Sequence, residues 1–191
     1  MTAFSAELAT FPAELTGTWD IDPVHSTIGF AAKHAMVATT RGHFTVFSGG
    51  ATIDAVAPEN STAWLEIDAS TVQTGNNDRD NHLRSNDFFG AEANPKITFR
   101  STSVKVDDDE VVTIGDLTVK GTTHPVEITW TFNGVSKDPY GNTRAGFDGV
   151  ATVNRKDWGL TWNAALETGG VLVSDKVKLV IEVAAVKRAE G

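Results

Sequence analysis

From about Ser26 onward the chain alternates apolar and polar residues with a period of two, in short segments separated by turn-forming residues, and this pattern restricts it to strands. Ile28, Phe30 and Ala32 share one face, with Thr27, Gly29, Ala31 and Lys33 on the other. After Arg41-Gly42, Phe44 and Val46 alternate with His43, Thr45 and Phe47. Ala63, Leu65 and Ile67 form the next apolar set, followed by Ile97 and Phe99, Leu117 and Val119, then Val126, Ile128, Trp130 and Phe132. A final strand presents Val177, Leu179, Ile181 and Val183. With a glycine-rich strand over 144–154 that carries Phe147, and a short one at 19–21, this predicts about eight antiparallel strands.

The expected fold is all-β: an eight-stranded antiparallel barrel with short helical loop insertions. A two-sheet sandwich would show the same alternation. Gly49-Gly50, Pro58-Glu59-Asn60 and the run Asp138 to Asn142 read as breaks or turns between strands. Two connections, 69–95 and 155–175, are too long for turns and are predicted to cap a barrel mouth. Residues 1–16 read as a flexible arm and 17–188 as one domain.

Composition narrows the function. Sixteen Lys and Arg against 25 Asp and Glu leave a net charge of −9, which repels a phosphate backbone and argues against nucleic acid as a partner. The chain has no cysteine, so neither disulfides nor thiolate metal sites enter. No run of about 18 apolar residues marks a transmembrane helix, and residues 1–17 lack the pattern of a signal peptide, so a cytoplasmic location is expected.

Catalytic signatures are absent: no nucleophile elbow, Walker loop or dinucleotide fingerprint occurs. The five histidines show no metal-ligand spacing, and His25, after Asp22-Pro23-Val24, suits a turn-capping hydrogen bond. The cluster Asp78-Arg79-Asp80-Asn81-His82 can serve acid–base chemistry or simply fasten a loop. Asp107-Asp108-Asp109-Glu110 reads as a solvated hairpin tip. At the size of eight strands, the interior can be filled by side chains or hold one small ligand, and alternation leaves both open.

Several motifs carry a family resemblance: Trp19-Asp20-Ile21-Asp22-Pro23-Val24-His25-Ser26 with Phe30, and Arg41-Gly42-His43-Phe44. Further on come Arg79 to Phe89, Asn94-Pro95-Lys96-Ile97-Thr98-Phe99, Gly115 to Gly121 and Asn154 to Gly159. In this order they resemble the YceI-like polyisoprenoid-binding family over about residues 16–186. The resemblance implies a lipocalin-like barrel whose apolar pore holds a polyisoprenoid, as a quinone tail or an isoprenoid precursor, with no other cofactor. With no catalytic motif present, binding for sequestration, storage or transport is the leading expectation, ahead of an enzyme that acts on such a lipid through His25 or the Asp80/His82 loop and of a ligand-free, filled barrel with a structural or stress role. The residues expected to line that pore are Ile28, Phe30, Phe44, Leu65, Ile67, Phe88, Phe89, Phe99, Leu117, Val119, Ile128, Trp130 and Phe147. Arg79, His82 and Arg84 are the expected headgroup contacts at the mouth. A homodimer is compatible with the sequence.

Overall fold

The computed structural model describes residues 11–107 and 110–190. Its strands are β1 (Gly17–Ile21), β2 (Thr27–His34), β3 (Ala38–Phe44), β4 (Phe47–Ile53), β5 (Thr62–Asp68), β6 (Val72–Gln73), β7 (Lys96–Asp107), β8 (Glu110–Val119), β9 (Thr122–Lys137), β10 (Thr143–Asn154) and β11 (Val173–Lys187). One α-helix, α1 (Asn77–Arg84), lies between β6 and β7.

All pairings are antiparallel, and the order closes on itself because β11 pairs with β10 on one edge and with both β1 and β2 on the other. The pairs β1/β2, β3/β4 and β5/β6 each act as one long strand interrupted by a bend: β2 pairs β3 while β1 pairs β4, and β6 pairs β3 while β5 pairs β4. The result is an eight-stranded up-and-down barrel, and closure removes the free edges that a sandwich would keep.

The bends explain where the alternation misleads. Phe44 is buried, but Val46 is 55% exposed, and it is Phe47 that packs on the core. Thr45 and Val46 form a bulge whose amides both donate to Thr71 Oγ1 at 3.2 Å, and the extra residue reverses the inward face. Gly49 and Gly50 do not break a strand. They lie inside β4, where a Cβ on Gly50 would meet Trp19 O at 2.5 Å and one on Gly49 would meet Ile21 Cδ1 at 2.6 Å, so side chains are excluded by close approach. The turns at 58–60 and 138–142 form as the residues dictate, with Asp138 Oδ1 accepting from the amides of Tyr140 and Asn142, both at 2.9 Å.

Residues 1–10 of the expected arm lie outside the described residues, whereas within 11–16 Leu15 is buried and Phe11 half-buried against the barrel end, the rest being exposed. Ala13–Leu15 form a 3-10 turn, Leu15 is 1% exposed, and Trp19 Nε1 donates to Leu15 O at 2.8 Å. Asp108 and Asp109 also lie outside the described residues; the strands they join pair to Asp107 and Glu110. Among the described residues, no helix is long and apolar enough to cross a membrane.

Candidate ligand cavity

The barrel interior is not filled. A cavity of about 330 Å³ runs through it, lined by the inward faces of the strands and by both long connections. Ile28, Phe30, Phe44, Leu65, Ile67, Phe99, Leu117, Val119, Ile128, Trp130 and Phe147 all line it from the strands, and Phe88 and Phe89 line it from the segment after α1. Several of these side chains, Phe30, Leu65, Leu117, Trp130 and Phe147 among them, point inward yet are only half-buried, as expected around an empty space rather than in a close-packed core.

Glycines make room for the rings. A Cβ on Gly115 would sit 2.4 Å from Phe99, and one on Gly149 would sit 2.6 Å from the Trp130 ring, so each ring lies flat on the neighbouring strand and leaves the lumen clear. Trp130 Nε1 donates to Thr113 Oγ1 at 2.9 Å, which places a buried hydroxyl, with the residue 7% exposed, in an otherwise apolar wall.

One end is closed by the two long connections. Phe89 packs edge-on against Phe44, with centroids 5.6 Å apart, and against Phe30 at 6.4 Å. Phe88 meets Trp162 of the second connection at 5.5 Å. Trp158 and Leu160 complete the cover, and Trp158 Nε1 donates to Leu117 O at 2.9 Å. The buried Arg155 holds this connection together by donating to the carbonyls of Leu160, Trp162, Ser174 and Val173 at 2.6, 2.8, 2.9 and 3.4 Å. Desolvation lowers its pKa from the ordinary guanidinium value, with Asp175 opposing.

Arg79, His82 and Arg84 belong to this closed end, but none of them lines the cavity. Arg79 donates to Thr74 Oγ1 and Thr74 O, both at 2.7 Å. Arg84 donates to Ser70 O, Asn81 Oδ1 and Val72 O at 2.6, 2.9 and 3.1 Å. His82 Nε2 lies 2.8 Å from Asp87 Oδ2, and its ring stands edge-on to Trp162 and Phe88 at 4.6 and 5.0 Å. The buried Asp80 accepts from the amide and hydroxyl of Thr74 at 2.8 and 2.5 Å. The charged cluster therefore fastens α1 to the barrel, and its polar groups are taken up by neighbours.

At the opposite end, the lining runs out to Asp54, Pro58, Ser61 and Thr62 around the β4–β5 connection. Asp54, Pro58 and Ser61 are half-buried there, and Thr62 and Trp64 are exposed on the outward-facing positions of β5. Phe11 and Leu15 also line this end. Sequence reasoning missed them because their few apolar residues show no period, and it missed Thr113 because a threonine on a strand carries no sign of which wall it faces.

None of the five histidines lines the cavity. His25 Nδ1 is 2.8 Å from Asp22 Oδ2, His124 stacks edge-on to Trp158 at 5.5 Å, and His34 and His43 are exposed. Among the described residues, no three His, Cys, Asp or Glu side chains are grouped to hold a metal.

The YceI-like domain matches residues 19–185. This chain belongs to the YceI-like family. It is 44% identical over 161 residues to a UPF0312 protein of Staphylococcus epidermidis, covering 84% of this chain and 92% of that one. It is also 40% identical over 158 residues to a UPF0312 protein of Staphylococcus aureus, covering 82% and 90%. Among solved structures, BcnA of Burkholderia cenocepacia superposes with a TM-score of 0.73 at 23% identity, covering 86% of this YceI-like chain and 98% of BcnA. The Campylobacter jejuni YceI protein gives 0.70 at 28%, covering 82% and 90%. A polyisoprenoid binding domain from Saccharophagus degradans gives 0.66 at 18%, covering 89% and 98%.

Proposed function

We propose that this YceI-like barrel binds a polyisoprenoid lipid, as a quinone tail or an isoprenoid precursor, and sequesters, stores or carries it without converting it. The observation that carries this reading is the cavity itself: about 330 Å³ lined almost wholly by aliphatic and aromatic side chains, inside a closed barrel. Each buried methylene contributes about 0.8 kcal/mol, so a branched hydrocarbon chain needs no polar anchor to bind. The binding named for the Saccharophagus degradans neighbour points to the same ligand class. Conversion would need acid–base groups at the ligand; the histidines stand elsewhere, and Asp54, the carboxylate in the lining among the described residues, is engaged by the amides of Val56 and Ala57.

Solvent extraction of the purified protein followed by mass spectrometry tests this. A co-purifying prenyl lipid at near-equimolar ratio, recovered unchanged after incubation, is the expected result. Extracts without any prenyl lipid, together with failure of the emptied protein to take up a fluorescent polyprenyl analogue, would falsify it.

A further inference from the structure

The apolar side chains left on the outer surface are distributed unevenly. Toward the end of the barrel where β1 begins, Val24, Val56 and Tyr140 are exposed, each on a different connection. Each follows a carboxylate by two residues and donates its amide to it: Val24 to Asp22 at 2.9 Å, Val56 to Asp54 at 3.0 Å and Tyr140 to Asp138 at 2.9 Å. Apolar residues scattered singly in this way are ordinary surface.

The end that carries the aromatic cover differs. Met36 and Val37, on the β2–β3 turn, are 64% and 86% exposed, and Val171 is 40% exposed. Val171 belongs to a small hairpin over 164–172, closed by the bridge between Ala165 and Val171 and by Leu172 N donating to Ala164 O at 2.9 Å. The two loops touch: Ala35 N donates to Leu172 O at 2.8 Å, and a Cβ on Gly170 would come within 2.5 Å of Met36 Sδ. Ala35 and Met36 both hold a positive φ, 48° and 66°. A left-handed pair at a hairpin turn favours Asn and Gly, so Ala-Met costs free energy here while its methionine contributes nothing to the core. Three exposed apolar side chains are thus gathered on one tip.

The wall beside this tip is basic, in a chain of net charge −9. Lys178, Ala31 and Arg41 lie in one row across β11, β2 and β3; Lys33 lies opposite Thr39 nearer the turn, and Lys176 lies on β11 opposite Asn154. All four cations are exposed and alternate with lumen-facing residues. Among the described residues, none of the four pairs with a carboxylate. Residues 33–43 contain no acid, and within 164–178 Asp175 is taken up by Lys156 at 3.1 Å, which leaves Glu167 as the carboxylate of the tip.

We propose that this tip docks the barrel onto an anionic lipid bilayer. Met36, Val37 and Val171 enter the boundary between headgroups and acyl chains, while Lys33, Arg41, Lys176 and Lys178 face the lipid phosphates. An apolar tip beside a basic wall fits such a surface on both counts, since apolar burial and attraction to anionic headgroups add. A nucleic acid would engage the cations and leave the apolar side chains uncovered. A second copy of the chain docking through the same tip would bring like charges together. The opposite end holds Asp22, Asp54 and Asp138 beside its exposed apolar residues and is repelled by the same surface, so docking turns the aromatic cover toward the bilayer. Docking belongs to the outer wall and holds whatever fills the lumen.

Because the chain has no cysteine, Val37→Cys and, at the opposite end, Tyr140→Cys can each carry a single environment-sensitive fluorophore. With vesicles of phosphatidylcholine mixed with an equal part of phosphatidylglycerol, the label on the β2–β3 turn should shift to the blue and be quenched by brominated acyl chains, and the label on the β9–β10 turn should stay in water. Co-sedimentation of the unlabelled protein should show binding at least about tenfold tighter than to phosphatidylcholine alone, weakening as salt is raised. Met36→Ser with Val37→Ser should weaken it about tenfold, as should Lys33→Gln with Lys178→Gln. Wild type that ignores anionic vesicles overturns the proposal, as does a response from both labels or from neither, or a double variant that binds as well as wild type. Self-association without vesicle binding, abolished by Met36→Ser with Val37→Ser, assigns the tip to a second copy and overturns it too. The two labels decide the matter should a double variant fail to fold. Uptake of a polyprenyl analogue into the lumen is measured without vesicles, so docking and the polyisoprenoid reading fail separately.

Discussion

Asp22 ties together three parts of the chain that are far apart in sequence. Its Oδ2 accepts from Arg144 Nη1 at 2.7 Å and lies 2.8 Å from His25 Nδ1, while Oδ1 accepts from the amide of Val24 at 2.9 Å. Arg144 Nε in turn donates to Asp138 Oδ2 at 2.8 Å, so the bend between β1 and β2 is clamped to the β9–β10 turn. The Arg144 guanidinium first, and then His25, hold the Asp22 carboxyl down to about 2, and Arg144 and Asn142 hold Asp138 below the usual carboxylate range as well. A carboxyl depressed in the folded state stabilises above its unfolded value near 4, and that stability is lost as pH falls toward 2. Asp22→Asn should therefore cost about 1–2 kcal/mol at neutral pH, or about 3–6 °C in Tm for a chain of this size. The difference from wild type should shrink between about pH 4 and pH 2. Thermal unfolding measured across that range checks it, and parallel curves for the two proteins would remove Asp22 from the clamp.

At the scale of elements, the α1 segment and the 155–172 connection form one aromatic cover, joined by the Phe88–Trp162 and His82–Trp162 contacts and seated on Phe30 and Phe44 through Phe89. Replacing Phe88 and Phe89 together by Ser removes the apolar underside while Arg79 and Arg84 still fasten the helix, so the barrel should stay folded with its closed end breached. Release of a fluorescent polyprenyl analogue should then accelerate about tenfold or more, since interface truncations act mainly through the off-rate; an unchanged rate would mean that the cover does not retain ligand. The sequence made much of this visible. Period two placed Ile28, Phe99, Ile128 and Ile181 inward, and the two long connections stood out by length alone. Hidden from it were the bulge at Thr45 and Val46, because a single extra residue leaves no compositional mark, and the burial of Leu15, which depends on Trp19 and on the barrel end. The occupation of Arg79, His82 and Arg84 was also illegible, because their partners are largely backbone carbonyls and side chains brought close only by the fold.

Over the whole molecule, closure and emptiness go together. The meander of strands buries one face of every strand without needing a second sheet, but eight strands enclose more space than the inward side chains fill, and a void forgoes the dispersion contacts of its lining. The lipid-free protein should thus be less stable than a filled barrel of the same topology, and ligand should raise its Tm by mass action. Ala32 and Ala63 line the cavity from β2 and β5 on inward-facing positions where space is available. Replacing both by Leu puts about six extra carbon atoms into the lumen, worth about 1–3 kcal/mol if they pack without strain. For the lipid-free protein this should appear as a rise of about 3–8 °C in Tm. The same variant should lose at least about tenfold in affinity for a polyprenyl analogue and gain no further Tm when lipid is added, because the volume that held the chain is occupied. Scanning calorimetry of wild type and the double variant, each with and without lipid, reads all four quantities. A double variant that keeps the full ligand-induced shift would place the bound chain somewhere other than this cavity, whereas one that is destabilised without lipid would show that the lumen at Ala32 and Ala63 is already packed.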